Sequence, residues 1–165
     1  MKCIPKGSAL IALVCSAVTL IAPSASAQTP TLVASTCQFG NDTGTIVASA
    51  YIYRDDAPEL GSVGRIAVCR DDAYNYWGYV GFAEKLTASQ WAQATLYRRR
   101  DGSTTTSINC DSSGGNGKVM PNQRVCWTPK FTGLSGRYTF LAKGEMYSSH
   151  TGNRLALETT REFTR

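Results

Sequence analysis

Residues 46–53 read IVASAYIY, in which small or branched apolar side chains recur at every second position. The same alternation returns at 92–97 (AQATLY), at 137–147 and at 154–163. A period of two with β-branched and aromatic residues is typical of strands that bury one face. We therefore expect 137–147 and 154–163 to form the last hairpin. Its predicted inward residues are Tyr138, Phe140, Ala142 and Met146 on the first arm and Leu155, Leu157 and Phe163 on the second.

Short turn sequences separate the alternating segments. GGNG at 114–117 and TGN at 151–153 supply glycine and asparagine, and Arg-Asp-Asp-Ala stands at 54–57 and again at 70–73. Several short strands in a domain of this size predict an all-β fold, either an antiparallel β-sandwich or a small barrel. At most one short helix is expected, at 86–92, where Thr87 and Gln90 have the spacing of a capping box.

The first 27 residues have the order of a secretory signal peptide. Lys2 and Lys6 precede a mostly apolar run at 8–22, and Ala-Ser-Ala at 25–27 is a small-residue cleavage site. The apolar run is shorter than the ~20 residues of a membrane-spanning helix. We therefore expect a secreted protein that has lost residues 1–27 and has no membrane anchor. A flexible leader at 28–36 and a single disulfide-bonded β domain at 37–165 would remain.

Four cysteines remain after cleavage, and four cysteines allow three pairings. The pairing Cys37–Cys69 and Cys110–Cys126 is favoured, because the segment between the last two is rich in glycine and can bend back on itself. The sequence contains no Cys-x-x-Cys motif and a single histidine, so a metal site is not expected. No sequence fingerprint of a cofactor site is present either.

The sequence favours a protein without catalytic activity. The single histidine, His150, lies in a polar loop where we expect it to be solvated and its removal to leave any activity intact. Asp-Thr-Gly at 42–44 matches the core motif of aspartic proteases, but it occurs once and is expected to be a turn. The carboxylate pairs at 55–56 and 71–72 leave a small carboxylate-dependent hydrolase as the third possible function.

The segment Tyr74–Phe82 reads YNYWGYVGF and is nearly all aromatic or small. Successive side chains of a strand point to opposite faces, so both faces of this strand would carry aromatic rings. We expect Trp77 and Tyr79 to face the core and Tyr74 and Tyr76 to face solvent, where such rings suit a glycan or a protein ligand. If both faces are buried instead, this binding surface is absent.

Two binding functions therefore fit the sequence. The first is a secreted, non-catalytic domain that binds an extracellular glycan or protein through Tyr74 and Tyr76. The alternative is a proteinaceous peptidase inhibitor whose Cys110–Cys126 loop presents Lys118 and Met120 to a protease.

Loss of Lys2 and Lys6 lowers the formal net charge from +5 to +3. The densest basic run, 98–100, lacks the broad stripe and stacking aromatics of a nucleic-acid binder, so nucleic acid is not an expected partner.

Overall fold

The computed structural model describes residues 36–101, 103–134 and 137–165. The predicted signal peptide and residues 28–35 of the predicted leader lie outside the described residues. Within them the chain forms strands and one short 3-10 helix, Pro58–Leu60. No helix in these ranges is long and apolar enough to cross a membrane.

The strands form two antiparallel sheets that pack face to face. In chain order they are β1 (Cys37–Phe39), β2 (Asp42–Tyr53), β3 (Ser62–Arg70), β4 (Asn75–Phe82), β5 (Trp91–Arg100), β6 (Thr106–Asn109), β7 (Val125–Trp127), β8 (Phe131–Thr132), β9 (Tyr138–Tyr147), β10 (Arg154–Thr159) and β11 (Phe163–Thr164). The first sheet has the order β1-β2-β3-β4-β7, with β8 also beside β4, and the second has the order β10-β9-β5-β6, with β11 also beside β9. The predicted antiparallel β-sandwich is confirmed.

The main core lies between the two sheets. The inward side chains of β9 are Tyr138, Phe140, Ala142 and Met146, as the alternation predicts, and all four are buried. The ring of Tyr76 on β4 stacks on that of Phe140, with centroids 4.0 Å apart and planes 17° from parallel. This contact joins the first sheet to the second at the centre of the core.

Strand β4 is buried on both faces, so the expectation that Tyr76 faces solvent is wrong. Tyr76 is fully buried between the sheets, while Trp77 is fully buried and Tyr79 is 6% exposed on the other side of the strand. On that outer side a second apolar cluster forms around the disulfide of Cys37 and Cys69. Because the cluster covers β4 from outside, the strand carries no open aromatic face.

Two further sequence predictions are corrected. Residues 86–92 form no helix, because Leu86 exchanges backbone hydrogen bonds with Asn122 and Gln123, and Trp91 already begins β5. The side chain of Gln90 still accepts a hydrogen bond from the Thr87 amide at 3.0 Å, so half of the capping box forms without a helix. In the last hairpin the register shifts between Arg154 and Ala156, which places Ala156 in the core. Leu155 is half-buried and packs against the core as predicted, whereas Leu157 is half-buried outside the core cluster.

Both disulfides have the favoured pairing. Cys37–Cys69 joins β1 to β3 within the first sheet. Cys110 directly follows β6 of the second sheet, and Cys126 lies in β7 of the first. The Cys110–Cys126 bond therefore links the two sheets covalently.

Candidate functional site

The antiparallel register of β5 and β9 builds a mixed aromatic and polar patch on the outer face of the second sheet. Trp91 lies opposite Tyr147, Gln93 opposite Glu145 and Thr95 opposite Lys143. The intervening residues of both strands face the core, so these side chains all point outward. We call this patch the Trp91 face; its members are Trp91, Gln93, Lys143, Glu145 and Tyr147.

Three side chains pack around the indole of Trp91. The ring of Tyr147 stacks on it with centroids 4.6 Å apart and planes 10° from parallel. The imidazole of His150 stacks at 5.4 Å, and the Lys118 ammonium lies 5.0 Å from the ring centroid. The indole N–H of Trp91 donates a hydrogen bond to the carbonyl of Ser149. Trp91 therefore fixes the loop that carries His150, rather than standing free in solvent.

Glu145 is the centre of the polar part of the Trp91 face. It is 6% exposed, although it lies on the outward side of the sheet. Its carboxylate accepts hydrogen bonds from the Tyr147 hydroxyl at 3.1 Å and the Gln93 amide at 3.2 Å, and Lys143 forms an ion pair with it at 3.2 Å. Three partners thus hold one carboxylate in a fixed position.

The same carboxylate shifts the pKa values of its neighbours. Burial and then the charge and hydrogen bond of Glu145 raise the pKa of Tyr147. Burial alone would lower the pKa of Lys143, but the hydrogen bond and charge of Glu145 outweigh it, and the pKa is raised. Both groups therefore keep their protons at neutral pH and remain hydrogen-bond donors.

Lys118, a residue that the sequence singled out, lies at the rim of the Trp91 face. Its ammonium pairs with Asp111 at 2.6 Å, and this hydrogen bond is the main reason why the pKa of Asp111 is lowered. The next residue, Val119, is fully buried and exchanges backbone hydrogen bonds with Ala92 at 2.9 and 3.0 Å. Through Val119 the disulfide loop is attached to the start of β5.

Met120 lies beyond Val119 and is 42% exposed. The backbone turns sharply there. The backbone N–H of Gln123 donates a hydrogen bond to the Met120 carbonyl at 3.0 Å, and Asn122 adopts a φ of 66°. The exposed part of the loop is thus a tight turn. An inhibitor loop that enters a protease cleft needs an extended exposed run, which Val119 and this turn interrupt.

Tyr74 is separate from Lys118 and Met120. It precedes β4, is 38% exposed and has a φ of 57°. The guanidinium groups of Arg165 and Arg70 lie 4.1 and 5.2 Å from the centroid of its ring. The structure therefore does not bring the four ligand-binding candidates, Tyr74, Tyr76, Lys118 and Met120, into one site.

The carboxylates considered for hydrolysis lie elsewhere. Asp42, Asp71 and Asp72 line a polar cleft of about 730 Å³. Asp42 begins β2 and pairs with Phe39, so the turn is formed by Gly40 and Asn41 rather than by residues 42–44. Burial alone would raise the pKa of Asp71, but hydrogen bonds from Asn75 and Lys130 lower it. A carboxyl group held as an anion is a poor general acid.

The described part of the chain contains no group of three or more histidine, cysteine, aspartate or glutamate side chains placed to hold a metal ion. No member of the Trp91 face was predicted from the sequence; only Lys118, at its rim, was a candidate. Trp91, Gln93, Glu145 and Tyr147 are the outward residues of two strands that the alternation does identify. The missing information was that β5 pairs with β9, since these strands are distant in sequence.

Comparison with known proteins adds one relative. The chain is 36% identical over 64 residues to the uncharacterized protein YjfA of Bacillus subtilis (strain 168). The match covers 39% of this chain and 39% of that protein. No family model and no solved structure matches the chain.

Proposed function

We propose that this protein is a secreted, non-catalytic binding domain that holds a glycan on the Trp91 face. The observation that carries the proposal is the fixed hydrogen-bond network of Glu145 beside stacked aromatic rings. A sugar presents both C–H surfaces, which suit aromatic rings, and hydroxyl groups, which need donors and acceptors at defined positions. Side chains that are already held in place lose little conformational entropy when a ligand binds.

The polarity of the Trp91 face favours a glycan over a protein ligand. The centre of a protein–protein interface is more apolar than the surrounding surface. The large hydrophobic side chains that are exposed in the described residues are Tyr51, Tyr53, Leu60, Tyr74, Met120 and Leu134, and none of them belongs to this face. Beside the stacked rings of Trp91 and Tyr147, this face carries an amide, an ammonium and a hydroxyl around a carboxylate.

Secretion is part of the proposal. Two disulfides suit an oxidising compartment outside the cytosol, and the first 27 residues have the order of a signal peptide.

The peptidase-inhibitor alternative has one supporting observation, the exposed Met120 at the edge of a disulfide-closed loop. The buried Val119 and the tight turn that follows it make this alternative the weaker one.

A glycan array with the purified secreted protein tests the proposal. Tyr147→Phe removes the hydroxyl that donates to Glu145, and Glu145→Gln removes the charge that Lys143 faces. We expect each variant to weaken glycan binding by about tenfold, the effect of one lost charge-assisted hydrogen bond. The matched control is Tyr53→Phe, since Tyr53 is 44% exposed on the first sheet.

The control should bind as the unaltered protein does. Binding that falls equally in Tyr53→Phe and Tyr147→Phe would show that the Trp91 face is not the site. Absence of any glycan ligand, together with inhibition of a secreted protease that is lost in Met120→Ala, would replace the proposal by the inhibitor alternative.

A further inference from the structure

Four arginines gather at one end of the sandwich, away from the Trp91 face. Arg98 and Arg100 are the last residues of β5 on its core side, Arg70 ends β3, and Arg165 follows β11. We call Arg70, Arg98, Arg100 and Arg165 the arginine cluster. Arg98 lies seven residues after Trp91 on the same strand, which is about 23 Å at ~3.3 Å per residue.

Aromatic rings separate the guanidinium groups of the arginine cluster. Tyr74 contacts Arg165 and Arg70, with guanidinium carbons 4.1 and 5.2 Å from its ring centroid. Tyr138 contacts Arg98 and Arg100 at 5.1 and 5.9 Å. A third ring, Phe131, lies 4.3 Å from Arg98. Each arginine is thus packed on an aromatic ring.

The end of β8 and the residue after it connect the arginines near Tyr138 with those near Tyr74. Arg98 donates a hydrogen bond to the carbonyl of Thr132 at 3.2 Å, and Arg165 donates one to the carbonyl of Gly133. The amide of Gly133 donates in turn to the carbonyl of Tyr74 at 2.9 Å. The arginine cluster and its rings therefore form one continuous surface.

Within the described residues, no carboxylate forms an ion pair with any member of the arginine cluster. Nearby acids have other partners: Glu162 pairs with Arg99, Asp101 with Arg137 and Asp71 with Lys130. The Nε atom of Arg70 is buried and has no hydrogen-bond partner among the residues that the structure describes. Asp42 and Asp72 line the same cleft as Arg70, whereas Arg98, Arg100 and Arg165 do not line it.

Four like charges at one end of a small domain repel one another, although each also lies on an aromatic ring that attracts it. An arrangement that costs stability is expected where a ligand uses it. The planar guanidinium group binds the oxygens of carboxylates, sulfates and phosphates in pairs. Tyr74, which lies between two of these groups, also has a φ of 57°, a backbone conformation that aromatic residues seldom adopt.

We infer that the arginine cluster binds the anionic groups of an acidic polysaccharide. The guanidinium groups lie on two different rings, Tyr74 and Tyr138. This arrangement suits a polymer that carries successive negative charges better than it suits one small anion. Two disulfides suit an environment outside the cytosol, which favours an acidic polysaccharide over a nucleic acid as the polyanion. This inference concerns a second site and stands independently of the function proposed for the Trp91 face.

The experiment compares two double variants that remove the same charge. Arg100→Gln with Arg165→Gln alters two exposed members of the arginine cluster, and the matched control, Arg99→Gln with Arg137→Gln, alters two exposed arginines that already pair with acids. Binding is measured at about 150 mM salt, where long-range attraction is screened. The probes are polygalacturonate for carboxylates, dextran sulfate for sulfates, neutral dextran as the uncharged polymer and duplex DNA.

We expect one or both acidic polysaccharides to bind and neutral dextran not to bind. Arg100→Gln with Arg165→Gln should weaken binding about tenfold or more and reduce its dependence on salt, while the control changes it less than about threefold. Equal losses in both double variants, or no binding of either acidic polysaccharide, would overturn the inference. Tighter binding of duplex DNA than of both polysaccharides would overturn it in favour of a nucleic-acid site. Arg100→Gln with Arg165→Gln should leave the binding of a neutral glycan on the array unchanged, which separates the outcome of this experiment from that of the glycan array.

Discussion

The ring of Tyr76 lies flat against that of Phe140, and this pair connects β4 of the first sheet with β9 of the second. Tyr74, two residues earlier, is in a turn and 38% exposed. Two neighbouring tyrosines thus have different environments, one in the core and one on the surface. Stability measurements should separate them clearly.

Tyr76→Ala should lower the free energy of unfolding by about 3–5 kcal/mol, because it removes a fully buried ring and leaves a cavity beside Phe140. Tyr74→Ala should lower it by less than about 1 kcal/mol, since that ring is partly exposed and contacts charged groups near solvent. Urea denaturation of both variants measures the difference. Similar losses in the two variants would contradict the placement of Tyr76 in the core.

The mature protein should contain no free thiol. Intact-mass measurement of the secreted protein before and after reduction should give a chain that begins at Gln28 and gains alkyl groups at four cysteines only after reduction. Replacing the pair Cys110 and Cys126 by alanine should cost about 3 kcal/mol, and replacing Cys37 and Cys69 about 4 kcal/mol, because the second pair closes the longer loop. Alkylation of the unreduced protein would contradict the closed disulfides.

Asp71 should make stability depend on pH in the acid range. Its pKa is lowered in the folded protein, so the folded state binds fewer protons than the unfolded state near the ordinary carboxyl pKa. The stabilisation is therefore complete above the unfolded pKa of about 4 and is lost as the pH falls through the lower folded value. Asp71→Asn should flatten this part of the curve of unfolding free energy against pH.

The control for that measurement is Asp72→Asn. Asp72 is the exposed neighbour of Asp71 and forms no ion pair with the described residues. Its replacement should leave the shape of the curve unchanged. A curve that flattens as much in Asp72→Asn as in Asp71→Asn would show that the hydrogen bonds from Asn75 and Lys130 are not the cause.

His150→Ala tests the rim of the Trp91 face. The sequence alone predicts that this change leaves any activity intact, because His150 is expected to be a solvated turn residue. Its stacking on Trp91 leads us to expect instead a two- to tenfold loss of glycan affinity, about the strength of one aromatic contact, with the melting temperature nearly unchanged. Unaltered affinity on the array would return His150 to the role of a solvent-exposed loop residue.

Much of the fold followed from alternation and from the cysteines. The inward side chains of β9 were predicted one by one, because polar and apolar positions alternate along the strand. Gly144 lies on the same face and lets β2 and β3 approach closely. Leu155 packs against the core as predicted, but the inward position of Ala156 was missed and Leu157 was misplaced, because a bulge shifts the register between Arg154 and Ala156. A bulge of one residue reverses which side chains face inward, and no residue type in this segment marks it.

The proposed binding surfaces were harder to predict than the fold. Tyr76 and Trp77 show that a strand with aromatic residues on both faces can be covered twice, here by the second sheet and by the Cys37–Cys69 cluster. The stacking of Trp91 on Tyr147, and of Arg100 on Tyr138, depends on which distant strands pair. Local sequence patterns do not contain that information.

The pairing of β5 with β9 also has a consequence for the order of folding. Strands β1, β2 and β3 each pair with the next strand in the chain, whereas Trp91 must find Tyr147 across a long intervening segment. Contacts between distant residues form late, because closing a long loop costs entropy before any contact is made. We therefore expect pulse-labelled hydrogen exchange during refolding to protect β2 and β3 before β5 and β9. A chain trapped halfway would then have paired β2 and β3 strands but no Trp91 face. Under the proposed function, retention on a glycan column would therefore select completely folded molecules.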